Sequence, residues 1–299
     1  MKCYLSFDFG GTFIKYALVQ GDAGVSMADK VSTPASLEGL VDLVLEVSDD
    51  FRRHNDIEGI AVSCPGTITA NGKVEGTSAI SYLDQIALKD LLEERTEEQV
   101  AVENDANCAA LAELWKGAAR GCREVLTLVI GTGIGGAVIS NGDLYRGANL
   151  YAGEFGYAIL YADPKNKQVD HWSHLGSTSA LIRKVAKEKE MAERDISGEQ
   201  IFEWAEEGDN ICRQAIEEFY FMLAAGIHNL QHIYDPERIL VGGGISHRDD
   251  FIPSLTEKVE DVQDLMDLDS MKPIIRTCQF KNQANLIGAA YHFIKSHNS

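Results

Sequence analysis

The stretch from Val102 to Trp115 joins the end of an apolar run to an Ala/Leu-rich segment with helical spacing, and Asn104 and Asp105 stand at the junction. An aspartate held at a helix start can accept the proton of a substrate hydroxyl group. Asp and Asn are also ordinary helix N-caps, and this stretch taken alone favours the capping interpretation. The chemical interpretation therefore depends on what else the chain contains.

Three glycine-rich turns have the composition of loops that bind a nucleotide. They are Gly10-Gly11-Thr12, Gly131-Thr132-Gly133 (which continues to Gly136) and Gly242-Gly243-Gly244. Glycine permits positive φ angles and lets backbone N–H groups approach an anion closely. A plain hairpin turn is an equally good interpretation of Gly10-Gly11 taken alone. Together the turns predict two phosphate loops, in which Thr12 and Thr132 add hydroxyl donors, and a third loop that suits adenine or ribose.

Charged side chains flank the first of these turns. Asp8 ends the strand that precedes Gly10 and can hold a magnesium ion through water. Lys15 can balance phosphate charge, or it can be a solvated strand residue.

Residues 147–175 are rich in glycine and aromatic residues and show little periodicity. We expect a long irregular segment here, and such segments inside compact domains are usually functional. The segment contains Glu154, Tyr157, His171 and His174. As single residues, Glu154 and either histidine are more typical of an ordinary surface loop than of a site.

The elements that must position these residues alternate between strands and helices, which predicts an α/β sheet covered by helices. Strand, glycine turn and strand occur within residues 3–19 and again within 125–139, so the two halves resemble copies of one unit. Gly131, Gly133 and Gly136 also match the dinucleotide fingerprint G-x-G-x-x-G. A predicted strand follows this turn where the fingerprint requires a helix, which excludes that interpretation.

A long helix is predicted over Cys212–Tyr234. Its predicted buried stripe comprises Ile216, Phe219, Leu223, Ile227, Leu230 and Ile233. His228 and His232 lie four residues apart on it, but the spacing lacks the glutamate of a zinc helix and favours an ordinary helix. A terminal helix is expected over Asn285–Ile294, and it returns to the first lobe.

Length and charge limit the class of protein. The 299 residues fit two lobes, for which we expect residues 1–116 with 284–299, and residues 117–283. The chain has 46 acidic and 27 basic residues, which gives a net charge of −19. This charge argues against nucleic acid or an anionic membrane as partner. We find neither a signal peptide nor an apolar run near the length of a membrane span. Six scattered cysteines indicate reduced thiols and a cytoplasmic protein.

The ordered set of motifs resembles the ROK family of sugar kinases, which has the two-lobed actin-like ATPase fold, a duplicated ribonuclease H-like unit. The matching motifs are Asp8-Phe-Gly-Gly-Thr12, Cys64-Pro-Gly66, Glu103-Asn-Asp-Ala-Asn107, Gly131–Gly136, Gly153-Glu-Phe-Gly156 and Val241–Gly244. The resemblance implies an active site in the interlobe cleft, ATP and Mg²⁺ as cofactors, and a homodimer. It implies Asp105 as general base and Gly66, Asn104 and Glu154 as sugar-binding residues.

Two departures from the family pattern concern the sugar. Tyr157 stands where the family commonly has a histidine, and the family's zinc-binding cysteine cluster is missing, so we expect no zinc site. The glutamate that binds the anomeric side of the sugar in the family also has no counterpart before Ser177, and Ser173 and His174 lie in that region. These features resemble the zinc-less β-glucoside kinase branch, which phosphorylates the 6-hydroxyl group of the non-reducing glucose in cellobiose-like sugars. We therefore expect Tyr157 and His174 to contact the sugar.

Three alternatives remain open. One is a kinase of free hexoses, of the glucokinase, fructokinase or N-acetylmannosamine kinase type. A second is a non-catalytic sugar sensor, although Gly10 lies too near Met1 to leave room for the helix-turn-helix of ROK regulators. The third, a filament-forming or chaperone ATPase, is disfavoured by the Asn104-Asp105 motif and the short chain.

Overall fold

A computed structural model describes residues 2–76, 78–266 and 271–297. The chain divides into two compact units. Unit 1 comprises Met1–Gly121, Arg146–Tyr151 and Gln279–Ser299, and unit 2 comprises Cys122–Tyr145 and Ala152–Cys278.

Unit 1 begins with a hairpin and continues with strands and helices in alternation. Its strands are β1 (Cys3–Phe9), β2 (Phe13–Gln20), β3 (Val25–Ser32), β4 (Ile57–Cys64), β5 (Thr67–Ile68), β6 (Val74–Glu75) and β7 (Val100–Asn104). Its first helices are α1 (Leu37–Arg52), α2 (Leu88–Thr96) and α3 (Asp105–Lys116). A short 3₁₀ turn covers Ser81–Leu83.

Unit 2 repeats the opening hairpin and then adds helices. Its strands are β8 (Val125–Ile130), β9 (Ile134–Ser140), β10 (Asp143–Tyr145), β11 (Ile159–Asp163), β12 (Gln168–His171), β13 (Arg238–Gly242) and β14 (Ile275–Thr277). Its helices are α4 (Trp172–Gly176), α5 (Thr178–Glu188), α6 (Gly198–Glu206), α7 (Asn210–Tyr234) and α8 (Phe251–Leu265). Further 3₁₀ turns cover Phe155–Tyr157, Glu193–Asp195 and Gly244–His247 in unit 2, and Lys281–Gln283 in unit 1. The last helix, α9 (Ala284–His297), belongs to unit 1.

The two main sheets have the same topology, which confirms the predicted duplication. The strand order is β3-β2-β1-β4-β7 in unit 1 and β10-β9-β8-β13-β14 in unit 2. In both, the first three strands along the chain pair antiparallel, and the last two add in parallel beside the first. The strand β9 after the second glycine turn confirms that this turn is not a dinucleotide fingerprint. The predicted mixed α/β fold is thus observed.

Each unit has its own apolar core. The core of unit 1 lies between its sheet and helices and includes Phe7, Phe9 and Val62, whereas the core of unit 2 includes Trp172 and Leu223. Helix α9 packs closely on α3 because Gly288 has no side chain: a Cβ atom there would lie 1.7 Å from the carbonyl oxygen of Cys108. Such contact leaves no room for even an alanine, so Gly288 fixes the distance between the two helices.

Several local predictions need correction. The segment expected to be irregular contains the β11–β12 hairpin and the short helix α4. Ile233, assigned to the buried stripe of α7, is 80% exposed.

All six cysteines carry free thiols, and Cys3 is the one that is not fully buried. No helix among residues 2–76, 78–266 and 271–297 is long and apolar enough to cross a membrane.

Candidate active site

Asp105 is the first residue of α3, directly after the buried strand β7. The N-cap is Asn104, whose Oδ1 accepts a hydrogen bond from the backbone N–H of Asn107 at 3.1 Å. Asp105 Oδ1 accepts one from the backbone N–H of Ala106 at 2.8 Å. Because the neighbour performs the capping, the second carboxylate oxygen of Asp105 is not needed to hold the helix start.

The surroundings of Asp105 favour its protonated form. Burial raises the pKa of Asp105 to about 6, against the lowering effect of the Ala106 hydrogen bond, and the negative charge of Asp8 adds to the rise. A carboxylate with a pKa near 6 is mostly ionised at neutral pH yet is a stronger base than an ordinary aspartate. Asp105 therefore has the properties that a general base requires.

Asn104 connects this helix start to Gly66. Its Nδ2 donates to the carbonyl oxygen of Gly66 at 3.0 Å. Gly66 has a φ of +106°, a conformation that favours glycine, and it follows β4, the strand next to β7. The Asn104 side chain also hydrogen-bonds the carboxylate of Asp105, and one lone pair of its Oδ1 remains for a ligand. The structure thus brings together three predicted sugar-site residues: Gly66, Asn104 and Asp105.

Asp8 lies at the end of β1 and is only 7% exposed. Its Oδ1 accepts hydrogen bonds from Asn285 Nδ2 at 2.9 Å and Ser63 Oγ at 3.2 Å. Its Oδ2 lies 3.3 Å from Lys15 Nζ, which fixes the lysine beside the first glycine turn. A buried carboxylate with an ammonium group at its edge can accept hydrogen bonds from water bound to a cation.

The first glycine turn needs glycine because of a close backbone contact and not, as expected, because of positive φ angles. Neither Gly10 nor Gly11 adopts a left-handed φ. Instead, a Cβ atom on Gly10 would lie 2.8 Å from the carbonyl oxygen of Phe13, to which Gly10 donates its N–H at 3.1 Å. Thr12 is exposed at the tip, so its hydroxyl group is accessible to a ligand.

Unit 2 contains a cavity of about 620 Å³, a size suited to a small-molecule ligand. Gly131 and Thr132 of the second glycine turn line it together with Gly244 of the third. Thr178 and Gly198, the first residues of α5 and α6, also line it. Helix N-termini favour anions, so these two helix starts suit the phosphate groups of a nucleotide.

The three glycines of the third turn have different structural reasons. Gly243 has a φ of +94°, and its Cβ atom would lie 2.0 Å from the carbonyl oxygen of Ile130. A Cβ atom on Gly242 would lie 3.2 Å from Cys278 Sγ, whereas one on Gly244 would meet no atom within 4 Å. Of the three, only Gly244 therefore fits the expectation that a backbone without a side chain lets a ring approach. Arg248, stacked on Phe202 at 4.3 Å, forms part of the cavity wall, which the sequence did not indicate.

The motif Gly153–Gly156 packs directly on the second glycine hairpin. A Cβ atom on Gly153 would lie 2.6 Å from the carbonyl oxygen of Gly136, and one on Gly156 would lie 2.1 Å from that of Ile134. Glu154 between them is exposed, and partial loss of hydration raises the pKa of its carboxyl group. The two glycines thus attach the Glu154 loop rigidly to strand β9.

The remaining predicted sugar residues follow this loop. Tyr157 is 71% exposed, and its ring contacts that of His171 at 5.9 Å. His171 Nδ1 lies 3.1 Å from the carbonyl oxygen of Gly156, and His174 Nδ1 lies 2.5 Å from Asp170 Oδ2. The aromatic and imidazole rings therefore form a fixed surface beside Glu154, with Tyr157 as its most exposed member.

No group of three or more His, Cys, Asp or Glu side chains arranged to hold a metal ion occurs within residues 2–76, 78–266 and 271–297. The rings of His228 and His232 are tilted by 37° with their centroids 4.3 Å apart, and burial lowers the pKa of His228. Magnesium in phosphotransferases needs only one or two carboxylates beside the substrate's phosphates. Asp8 fits that requirement.

The sequence did not indicate two parts of the unit 1 site. Asn285 contacts Asp8 from α9, 277 residues further along the chain. Glu103, which the sequence marked only as the first residue of the motif Glu103–Asn107, is 2% exposed, and its carboxylate pairs with Arg146. A charged residue within the apolar strand β7 was the available signal for Glu103.

Two copies of one sheet, each opening with a glycine hairpin, are typical of the actin-like ATPase fold. The ROK family profile matches residues 4–296, and the chain belongs to the ROK family. It is a sugar kinase, as are relatives similar to it along its whole length.

The β-glucoside kinase of Listeria monocytogenes is 37% identical over 297 residues, covering 98% of each chain. A ROK family protein of Streptococcus pneumoniae, solved in complex with sucrose, has a TM-score of 0.91 and 35% identity over 99% of each chain. The glucokinase of Streptomyces griseus, solved with glucose and AMPPNP, has a TM-score of 0.78 and 26% identity over 96% of this chain and 98% of that one. These similarities confirm the family and the sugar kinase activity expected from the sequence.

Proposed function

We propose that this kinase transfers the γ-phosphoryl group of ATP to the 6-hydroxyl group of the non-reducing glucose unit of a β-glucoside such as cellobiose. The observation that carries the β-glucoside assignment is the exposed ring of Tyr157, which stands one residue beyond the rigid Glu154 loop. The whole-length similarity to a β-glucoside kinase supports this substrate class. The sucrose bound to the pneumococcal relative supports only a site large enough for a disaccharide, because the glucose of sucrose is α-linked.

In the proposed reaction Asp105 is the general base. Its carboxylate accepts the proton of the sugar hydroxyl group while that oxygen forms a bond to the γ-phosphorus of ATP. The bond between the γ-phosphorus and the bridging oxygen of the β-phosphate breaks, and ADP leaves with that electron pair. Phosphoryl transfer depends mainly on the positions and charges of the reacting groups. The main contribution of Asp105 is therefore its fixed position at the start of α3.

Sugar-binding roles are proposed for five residues. Asn104 and the Gly66 loop contact hydroxyl groups of the phosphorylated glucose, and Glu154 accepts hydrogen bonds from others. Tyr157 and His174 contact the second sugar or aglycone. The Glu154 side chain is exposed on a loop packed against β9, so its carboxylate is accessible to the hydroxyl groups of a sugar.

ATP is proposed to occupy the unit 2 cavity, with its adenosine beside Gly244 and its phosphates beside Gly131, Thr132 and Gly133. Gly242 and Gly243 shape the third turn without lining the cavity. In the first turn, Gly10, Gly11, Thr12 and Lys15 are proposed to bind phosphate. Mg²⁺, when bound, would neutralise phosphate charge, and Asp8 would hold it through water.

A kinase of free hexoses is the second candidate, because the glucokinase of Streptomyces griseus shares the fold. Rates of ADP release with cellobiose, salicin, glucose, fructose and N-acetylmannosamine separate the two. We expect kcat/KM for cellobiose or salicin to exceed that for glucose at least tenfold. A preference for free glucose would replace the first proposal, and sugar binding without ADP release would indicate a non-catalytic sensor.

We also propose a cytoplasmic homodimer. The exposed apolar residues Ile159 and Val169 of the β11–β12 hairpin, which are 60% and 66% exposed, support a covered surface on this hairpin. Light scattering coupled to gel filtration gives the mass in solution. A monomer at micromolar concentration would contradict the dimer.

A further inference from the structure

Glu103 is a buried carboxylate beside the catalytic turn, and the proposed reaction leaves it without a role. It lies on β7 and is 2% exposed. Its Oε1 accepts hydrogen bonds from the backbone N–H of Asn104 at 2.8 Å and from Asn107 Nδ2 at 2.9 Å. These two residues stand on either side of Asp105, so one carboxylate oxygen holds both ends of the turn that carries the proposed base.

The other oxygen of Glu103 faces Arg146. Arg146 Nε donates to Oε2 at 3.1 Å, and Arg146 Nη2 donates to the same oxygen. His292 of α9 also faces it, with Nδ1 at 3.8 Å, but burial lowers the pKa of His292. At neutral pH the guanidinium group of Arg146 is therefore the cation that balances this buried charge.

Arg146 is supplied by a separate part of the chain. It begins the segment Arg146–Tyr151, which belongs to unit 1 although the residues on both sides of it belong to unit 2. A buried carboxylate that loses its cation must take up a proton or admit water, and either change weakens its other hydrogen bonds. The hold of Glu103 on Asn104 and Asn107 thus depends on Arg146.

We propose that Arg146 and Glu103 are positioning residues for phosphoryl transfer, and that they fix the orientation of Asp105 through Asn104 and Asn107. The inference rests on the proposed role of Asp105 as general base. Neither residue needs to contact the sugar. Loss of either residue should lower the rate of the chemical step and weaken sugar binding much less, because Glu103 holds the backbone N–H of Asn104 and not the side chain proposed to contact the sugar.

The test compares Arg146→Met, Arg146→Lys, Glu103→Gln and the double variant Glu103→Gln/Arg146→Met with the wild type. We expect Arg146→Met to lower kcat about 10- to 100-fold, the size of effect that misplacing a catalytic group produces. The Kd for cellobiose or glucose, measured by calorimetry, should change less than about threefold. Arg146→Lys keeps the charge and should recover most of kcat.

The double variant gives the most specific readout. Glutamine at position 103 keeps the acceptor for Asn104 and Asn107 and removes the uncompensated charge, so kcat should exceed that of Arg146→Met at least about threefold. Arg52→Met is the matched control, since Arg52 pairs with Glu98 at 2.8 Å elsewhere in unit 1. It should lower Tm without changing kcat.

Two further outcomes separate this inference from the proposed base. If Asp105→Asn is inactive while Arg146→Met keeps wild-type kcat, the positioning role is wrong and the base stands. If Asp105→Asn retains activity, the base itself is wrong. A loss of Tm in Arg146→Met with unchanged kcat at 25 °C would show a purely structural ion pair and would overturn the inference.

Discussion

Asn285 donates its side-chain amide to the carboxylate of Asp8 at 2.9 Å and so joins the last helix, α9, to the end of the first strand, β1. Asp8 also accepts a hydrogen bond from the hydroxyl group of Ser63. The carboxylate proposed to hold magnesium is thus oriented by two donors from distant parts of the chain. Oriented ligands are what a weakly held cation requires, because they lower the entropy lost on binding.

Replacing Asn285 with Ala should therefore impair both stability and nucleotide use. A buried carboxylate loses one of its donors, which costs about 1–3 kcal/mol of unfolding free energy. We expect kcat/KM for MgATP to fall about tenfold because Asp8 can then rotate. Urea unfolding and steady-state kinetics measure the two effects. Asn282→Ala, at an exposed position three residues earlier, is the control and should change neither.

The raised pKa of Asp105 predicts a specific dependence of activity on pH. The base must be ionised to accept a proton, so kcat/KM for the sugar should fall below an apparent pKa of about 6. The pH profile of the wild type measures this limb. A limb near pH 4 would show that Asp105 is hydrated like an ordinary aspartate or that another group is the base.

The same shift predicts that Asp105→Asn stabilises the protein at neutral pH. Because the folded-state pKa lies above the ordinary value, the contribution of Asp105 to stability is fully present below about pH 3.8 and is lost as pH rises through about 6. Asparagine keeps the acceptor for the Ala106 N–H and does not ionise. At pH 8 the variant should therefore gain about 1–3 kcal/mol of unfolding free energy. The gain should vanish near pH 4, and turnover should be abolished.

An added methyl group should lower stability at one glycine and impair only ATP binding at another. In Gly156→Ala the Cβ atom would lie 2.1 Å from the oxygen of Ile134 and from Ser173 Oγ, so we expect a loss of about 1–3 kcal/mol or more in stability. Gly131→Ala meets no protein atom within 4 Å but lies in the cavity lining. It should leave Tm unchanged and raise KM for ATP several-fold. Thermal unfolding with kinetics separates the two, and equal losses of Tm would contradict the structure.

The elements around the site were predictable where the signal is local. The order strand, glycine turn, strand is recognisable within residues 3–19 and 125–139 because the apolar runs and the glycines are adjacent in the chain. Asp105 could be placed at a helix start because Asn104 is a typical N-cap. These signals were sufficient to predict the duplicated fold.

Other features could not be predicted because they depend on distant or exposed residues. Asn285 meets Asp8 across 277 residues, and no periodicity connects them. The β11–β12 hairpin is mostly exposed on both faces, so the alternation that indicates a half-buried strand is weak there. Ile233 continues the apolar spacing of α7, yet spacing alone does not show where the layer that covers the helix ends.

Tyr157 provides the test of substrate class. An exposed aromatic ring beside a sugar site can stack on a second sugar ring, and such a contact is worth about 1 kcal/mol, or roughly a factor of five in kcat/KM. Tyr157→Ala should therefore lower kcat/KM for cellobiose about fivefold or more and change that for glucose less than twofold. Tyr161→Ala, at a 48% exposed tyrosine on β11, is the matched control and should leave both values unchanged. Equal losses with the two sugars would show that Tyr157 contacts the phosphorylated glucose itself, and the preference for a β-glucoside would then have to come from another residue.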